Sequence, residues 1–348
     1  MSIYEKEIER ISKVSLPWDR LEGKTLLLSG ATGMIGKCLV DILLKHNDML
    51  EDQLSTIQVI AMSRNEQTAK ERFSKYWDRK DFAYQVCDVN DHIPEVGTVD
   101  FVIHAASNTH PRQYAGDSIG TITSNIIGTK NLLDYAVTHE TRRFCFVSSV
   151  EIYGENRGDV EKFGESYLGY INCNTLRAGY PESKRLGETL CNAYLETYGL
   201  DFVIPRLSRV YGPTMLLSDT KAISQFIKKA AAGEDIVLKS EGNQKYSYSY
   251  VTDAAAGLLH ILLSGKSGQA YNVADKESDI TLKDLAENLA EISGKHVIFE
   301  LPEESERKGY STATRAMLDA DKLEHLGWKA NVHMSEGLRD TVASLKNV

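Results

Sequence analysis

No Cys-x-x-Cys pair occurs in this chain, and its five cysteines (Cys38, Cys87, Cys145, Cys173 and Cys191) are dispersed and odd in number. Such a set fits reduced thiols in a cytoplasmic protein better than a disulfide framework or a zinc site. The nine histidines form no His-x-x-x-His or His-Glu-x-x-His arrangement, so no metal is expected. No uninterrupted apolar stretch reaches bilayer-spanning length, and no membrane association is expected. Positive charge is also short: 40 Lys and Arg against 49 Asp and Glu leave a net charge of -9. That balance excludes a broad nucleic-acid or acidic-membrane surface, though it permits a local basic pocket for phosphates. Internal repeats and low-complexity segments are absent too. The opening "MSIYEKEIERISKV" lacks the pattern of a secretory signal. Its Ile3, Ile8 and Ile11 recur at roughly helical spacing, which predicts an amphipathic docking helix.

What is present is an ordinary globular composition, 42% apolar and 26% charged over 348 residues, enough for one large domain or two coupled ones. "KTLLLSG" (24–30), "IQVIAMS" (57–63), "FAYQVCDV" (82–89), "VDFVIHAAS" (99–107) and "RFCFVSS" (143–149) read as strands. Their apolar runs are continuous, as strands covered on both faces require. Most spacers between them are long enough for crossover helices, which predicts an α/β fold with a doubly wound parallel sheet. A sixth strand, "DFVIPRLSRV" (201–210), follows a helix starting near Tyr180. Beyond it come a helix around 219–232, an isolated "DIVLK", a strand-like "YSYSYV", and helices over "DAAAGLLHILL" and "TLKDLAENLAEI".

"LLLSGATGMIGKCLVDILLK" sets Gly30, Gly33 and Gly36 between a strand and a helix. The first glycine allows the tight turn, the second admits a pyrophosphate to the backbone, and the third lets helix pack on strand. In this position the triplet reads as the dinucleotide loop of a Rossmann sheet. The second strand ends in Ser63 and Arg64, where an NAD site would offer an acid to the ribose. Arg64 would pair with the 2′-phosphate of NADP, which favours NADP over NAD; a solvated surface arginine is the alternative. Asp88 either accepts from the adenine amino group or caps a helix.

"AGYPESKRLGETL" carries Tyr180 and Lys184 four residues apart, on one helix face. An ammonium beside a phenol stabilises the phenolate, so Tyr180 is expected to have a lowered pKa and to act as general base on a substrate hydroxyl. Ser149, at the preceding strand's end in "SSVEIYG", adds a hydroxyl to hold the substrate oxygen. Glu151 is either a second acid/base or a structural carboxylate. His104 is expected to be structural.

These motifs, with "HAAS", "NIIGTKNLL", "RLSRVYGP", "YVTDAAAGLL", "YNVA" and "DADKLEHLGW", make the chain resemble an extended short-chain dehydrogenase/reductase of the NAD-dependent epimerase/dehydratase family. Two segments, "YAGDSIGTITSNIIGT" and "ESYLGYINCNTLRAGYPESKRLGETLCNAY", are most similar to UDP-glucuronate decarboxylases. The resemblance implies a Rossmann domain over 23–212 with 248–274 returning to it, a smaller α/β substrate lobe mainly over 213–348, and a helical extension over 1–22. It implies a nucleotide-diphosphate sugar as substrate, and a homodimer formed through helices near 117–137 and 180–198. The cofactor contacts it implies are Gly30, Thr32, Gly33, Met34, Ile35, Gly36, Ser63, Arg64, Asp88, Val89, Ala105 and Ala106, with Tyr180 and Lys184. For the substrate it implies Ser107, Glu151, Arg177, Arg209, Tyr246 and Arg315.

Three positions depart from the family pattern. Val150 stands where 4,6-dehydratases carry an aspartate and the decarboxylases a serine. Along a continuing strand it would point away from Ser149 and Glu151. Arg209 replaces a usual asparagine, and Tyr246 a phosphate-binding arginine. Either Arg209 takes over the phosphate grip while Tyr246 packs the sugar or base, or Arg209 forms a structural ion pair and Lys245 compensates. The expected activity is hydride transfer at C4 of a nucleotide-linked sugar, with Tyr180, Lys184, Ser149 and Glu151 as the catalytic set. Val150 and Arg64 favour a reductase or epimerase. A decarboxylase is the runner-up, a 4,6-dehydratase stands behind it, and an inactive dinucleotide-binding sensor is the rival from another class.

Overall fold

The computed structural model describes residues 1–109, 116–300 and 314–346. The first seven strands are β1 (Thr25–Ser29), β2 (Gln58–Ser63), β3 (Phe82–Val86), β4 (Phe101–His104), β5 (Arg143–Phe146), β6 (Ser148–Ser149) and β7 (Phe202–Leu207). After these come β8 (Arg209–Tyr211), β9 (Ile236–Leu238), β10 (Lys245–Tyr250), β11 (Gln269–Val273), β12 (Asp279–Thr281), β13 (Val297–Phe299) and β14 (Arg315–Ala316). A parallel eight-stranded sheet runs in the order β11-β7-β5-β4-β1-β2-β3, with β6 also on β7. The order reverses direction between β1 and β4, the switch point at which doubly wound sheets bind ligands.

Continuous apolar runs in the inner strands follow from burial on both faces. Leu26 and Leu28 pack into one core cluster and Leu27 into the other; Val59 and Ala61 are likewise opposed to Ile60 and Met62. β3 departs from the expectation: it lies at the sheet edge, is partly exposed, and stops at Val86, short of Asp88. The expected sixth strand breaks at Ser208. β7 stays in the large sheet, while β8 crosses to a second sheet of order β12-β10-β14 with β8 on β10. Two contacts fix the break: Ser208 N donates to Val273 O, and its hydroxyl bonds that of Ser249 at 2.7 Å. "DIVLK" is not isolated, because β9 pairs in parallel with β13.

The docking helix spans Ile3–Lys13 and opens on a Ser2/Glu5 capping box. Ile8 and Ile11 are buried, and the Tyr4 hydroxyl donates to Asp41 at 2.6 Å on the glycine-loop helix (Met34–Asn47). A helix over Val251–Ser264, buried nearly throughout, leads into β11 at the edge of the large sheet.

Candidate active site

A cavity of about 930 Å³ opens along the carboxyl ends of β1, β4, β6 and β8. Gly30 follows β1 with φ +71°, and a Cβ there would stand 2.6 Å from Ala106 N and 2.7 Å from Ala105 O. A Cβ on Gly36 would stand 2.5 Å from Gly30 O. The loop therefore requires both glycines, and Gly33 caps the following helix with its backbone alone. The exposed amides at a helix start suit the pyrophosphate of a dinucleotide.

Ser149 ends β6, and its hydroxyl accepts from Glu151 N at 3.2 Å and is hydrogen-bonded to the Tyr180 phenol. Tyr180 and Lys184 lie on the first turns of a helix over Gly179–Tyr198, both buried. Burial pushes the Tyr180 phenol up to about 12; the Ser149 hydrogen bond and Arg177 pull it down, and Glu151 raises it. The lowering expected from Lys184 does not set this value. The ammonium instead donates to Val147 O at 2.9 Å and sits 4.8 Å over the Phe146 ring. Burial lowers Lys184 to about 8, while Glu188 counteracts the shift.

Sequence reasoning missed two supports. Asn125, fully buried, accepts from the Ser107 hydroxyl at 2.8 Å and donates to Ser183 at 2.9 Å, whose hydroxyl reaches Tyr180 O. An asparagine inside a helix gave no local signal of this bridge. Glu188 takes Ser148 Oγ at 2.5 Å and Arg206 at 2.6 Å. Its place four residues after Lys184 was a signal that could have been read.

Val150 does not continue the strand. A 3-10 turn over Val150–Tyr153 begins there, so strict alternation fails; Val150 is 4% exposed, packing into the core where it touches the cavity. Glu151 receives Arg177 Nη2 at 2.9 Å and has Arg209 Nη2 at 3.6 Å. Tyr246 and Ser107 line the same cavity, as do Met34, Ile35 and Ala105. The cavity lining does not include Thr32, Ser63, Arg64, Asp88, Val89, Ala106 or Arg315. Arg315 is exposed on β14 beside Lys245. Arg64 is exposed, 3.9 Å from Asp88, which also accepts from Asn90 N at 2.9 Å. His104 is buried and bonded to Ser29 and Thr129, with its pKa lowered to about 3 mainly by burial. Among the described residues no cluster of potential metal ligands occurs.

Comparison with known proteins identifies the family. UDP-glucuronic acid decarboxylase 5 of Arabidopsis thaliana is 30% identical over 316 residues, covering 90% of this chain and 86% of the relative. A dTDP-glucose 4,6-dehydratase from Streptomyces venezuelae, solved with NAD and TYD bound, superposes with a TM-score of 0.79 at 25% identity, covering 93% and 97% of the two chains. UDP-glucuronic acid 4-epimerase from Bacillus cereus, in complex with UDP-glucuronic acid and NAD, gives 0.77 at 22% identity, covering 93% and 99%. Residues 26–274 match the NAD dependent epimerase/dehydratase family. That span is most of the chain, and the chain belongs to the NAD-dependent epimerase/dehydratase family.

Proposed function

We propose that this protein is a nucleotide-sugar-modifying enzyme that works by hydride transfer at the sugar C4. The observation that carries the reading is the hydrogen-bonded Ser149–Tyr180 pair beside buried Lys184, in one cavity with the Gly30 loop. Gly30, Gly33 and Gly36 would hold the dinucleotide pyrophosphate, and Lys184 the region beside Tyr180. When bound, the dinucleotide supplies the hydride acceptor. Tyr180 takes the proton of the C4 hydroxyl and returns it when a ketone is reduced. Ser149 has one hydroxyl proton to give: it donates to the Tyr180 phenolate in the free site, and to the C4 oxygen once the substrate is bound and that oxygen has passed its own proton to Tyr180. The Lys184 ammonium, charged at neutral pH, favours that anion through space.

The finer reading is a reductase or epimerase, since Val150 brings no acid to the site. Decarboxylation is the second reading, favoured by the 30% identity to a UDP-glucuronic acid decarboxylase. The preference for NADP rests on Arg64 alone. Asp88 stands 3.9 Å from that cation and offsets it, and the two solved relatives named above hold NAD. The proposed division of the lobes near residue 212 is supported by the passage of the chain at Ser208 from β7 in the large sheet to β8 in the smaller one. Cytoplasmic placement is supported by the five free thiols.

One experiment separates these readings. The enzyme is incubated with UDP-, dTDP-, CDP- and GDP-sugars, 4-keto sugars included, with NAD and NADP and with their reduced forms in parallel, and products are followed by mass spectrometry. Loss of carbon dioxide, loss of water, gain of two hydrogens and unchanged mass distinguish the four chemistries. Tyr180→Phe is expected to lower turnover by about 10² or more while dinucleotide binding persists. Dinucleotide binding with no turnover on any sugar would leave the sensor reading instead.

A further inference from the structure

Glu151 lies between two guanidinium groups that reach the cavity wall from different elements. Arg177 comes from the short turn before the Tyr180 helix and donates to Oε2 at 2.9 Å. Arg209 comes from β8, its Nη2 3.6 Å from Oε1. Arg209 is also stacked, with its Cζ 3.6 Å from the centroid of the Tyr246 ring. Tyr246 belongs to β10, the strand on which β8 pairs, and is only 6% exposed, so the ring is a fixed platform. A guanidinium laid on an aromatic face commits that face to the cation–π contact and directs its N–H edge in plane. Both residues line the cavity that contains Ser149 and Tyr180.

We infer that the Arg209–Tyr246 stack is the substrate-anion grip of this enzyme, with the guanidinium delivered from position 209 and supported by the ring at 246. The inference rests on the nucleotide-sugar reading above. The ring below and Glu151 beside it restrict the rotamers of Arg209, so little side-chain entropy is lost when anionic oxygens arrive. A planar guanidinium edge matches the paired oxygens of a phosphate or a carboxylate. In the substrate such oxygens belong to the diphosphate link or to a carboxylate on the sugar. Because Arg177 and Arg209 share Glu151, a cation gripping the substrate is tied directly to the turn that leads into Tyr180.

The test is calorimetric titration of the dinucleotide-loaded protein with UDP, UDP-glucose, UDP-glucuronate and dTDP-glucose. Wild type is compared with Arg209→Ala and with Arg209→Ala/Tyr246→Arg. The single variant is expected to weaken binding by about tenfold or more, the scale of one charge-assisted contact. Every ligand weakens if the diphosphate is gripped, and UDP-glucuronate alone if the carboxylate is. The double variant, which returns a guanidinium to the same volume from β10, is expected to recover most of the loss. Dinucleotide affinity and melting temperature check that each variant is folded; if Arg209→Ala is not, Arg209→Gln retains the stem and replaces it. Affinities within twofold of wild type in the single variant overturn the inference, and so does a folded double variant with no recovery. Absence of binding to wild type would remove the nucleotide-sugar reading and this inference together.

Discussion

Burial pushes the Lys184 ammonium down to about 8, and Glu188 one helical turn onward pulls it back up. Lys184 is therefore charged below about pH 8 and neutral above it. An activity that needs the charge is present below that pH and is lost as the pH rises through it. Glu188→Gln removes the upward pull, so the basic limb of kcat/KM moves to lower pH, and Lys184→Met removes the limb along with most of the turnover. A limb that stays in place in Glu188→Gln would assign it to another group. For stability the same depressed pKa works the other way: the cost of burying the charge is full below about 8 and fades towards the ordinary lysine range near ~10.4. Tyr180, raised to about 12, stays protonated across this window until substrate and dinucleotide reshape its surroundings.

At the scale of elements, the turn from β1 into the glycine-loop helix is the tightest constraint on the site. Gly30 combines φ +71° with backbone from the β4 side only 2.6 Å from where a Cβ would stand. Gly30→Ala is expected to cost about 1 kcal/mol or more from the left-handed backbone alone, with a further penalty from the contact. Ala105 N donates to Ser29 O at 3.2 Å, so moving this backbone away would strain that contact at the end of β1. Both melting temperature and dinucleotide affinity should fall. Gly158, at φ +86° with nothing within 4 Å, isolates the backbone share. Gly158→Ala is expected to lower the melting temperature less and to leave dinucleotide affinity unchanged. If the two variants behaved alike, close packing at Gly30 would not matter. The break at Ser208 is the second decisive element. By sending β8 to the smaller sheet, it brings Arg209 over Tyr246 and beside Glu151.

At the scale of the whole molecule, two helices that pack on each other, Ser118–Thr138 and Gly179–Tyr198, carry large apolar side chains outward. Ile119 is 76% exposed and Ile127, Leu186 and Tyr198 between 41% and 61%. Exposed apolar side chains on a packed helix pair suit an association surface, and the homodimer we propose from the family resemblance would cover them. Ile127→Glu/Leu186→Glu is expected to shift sedimentation from dimer to monomer. A wild type that sediments as a monomer would remove the dimer. No helix among the described residues is long and apolar enough to cross a membrane.

The sequence by itself determined what depends on neighbours along the chain. The glycine spacing, the continuous apolar strands and the one-turn separation of Tyr180 from Lys184 are local patterns, and local patterns set sheet type and helix face. The N-terminal docking helix belongs with them, legible from its isoleucine spacing. Contacts between distant segments were decided only by the tertiary structure. Asn125, on the helix that follows β4, bridges Ser107, 18 residues before it, to Ser183, 58 residues after it. Arg209 meets Tyr246 because a strand changes sheets, which no periodicity announces. Burial also reversed the expected direction for the Tyr180 phenol, since desolvation depends on everything packed around a group and outweighed its hydrogen bond to Ser149. The "SSVEIYG" segment joins both cases: its residues announced a reactive strand end, and the fold decided that Val150 turns into a 3-10 helix and that Glu151 stands between two arginines.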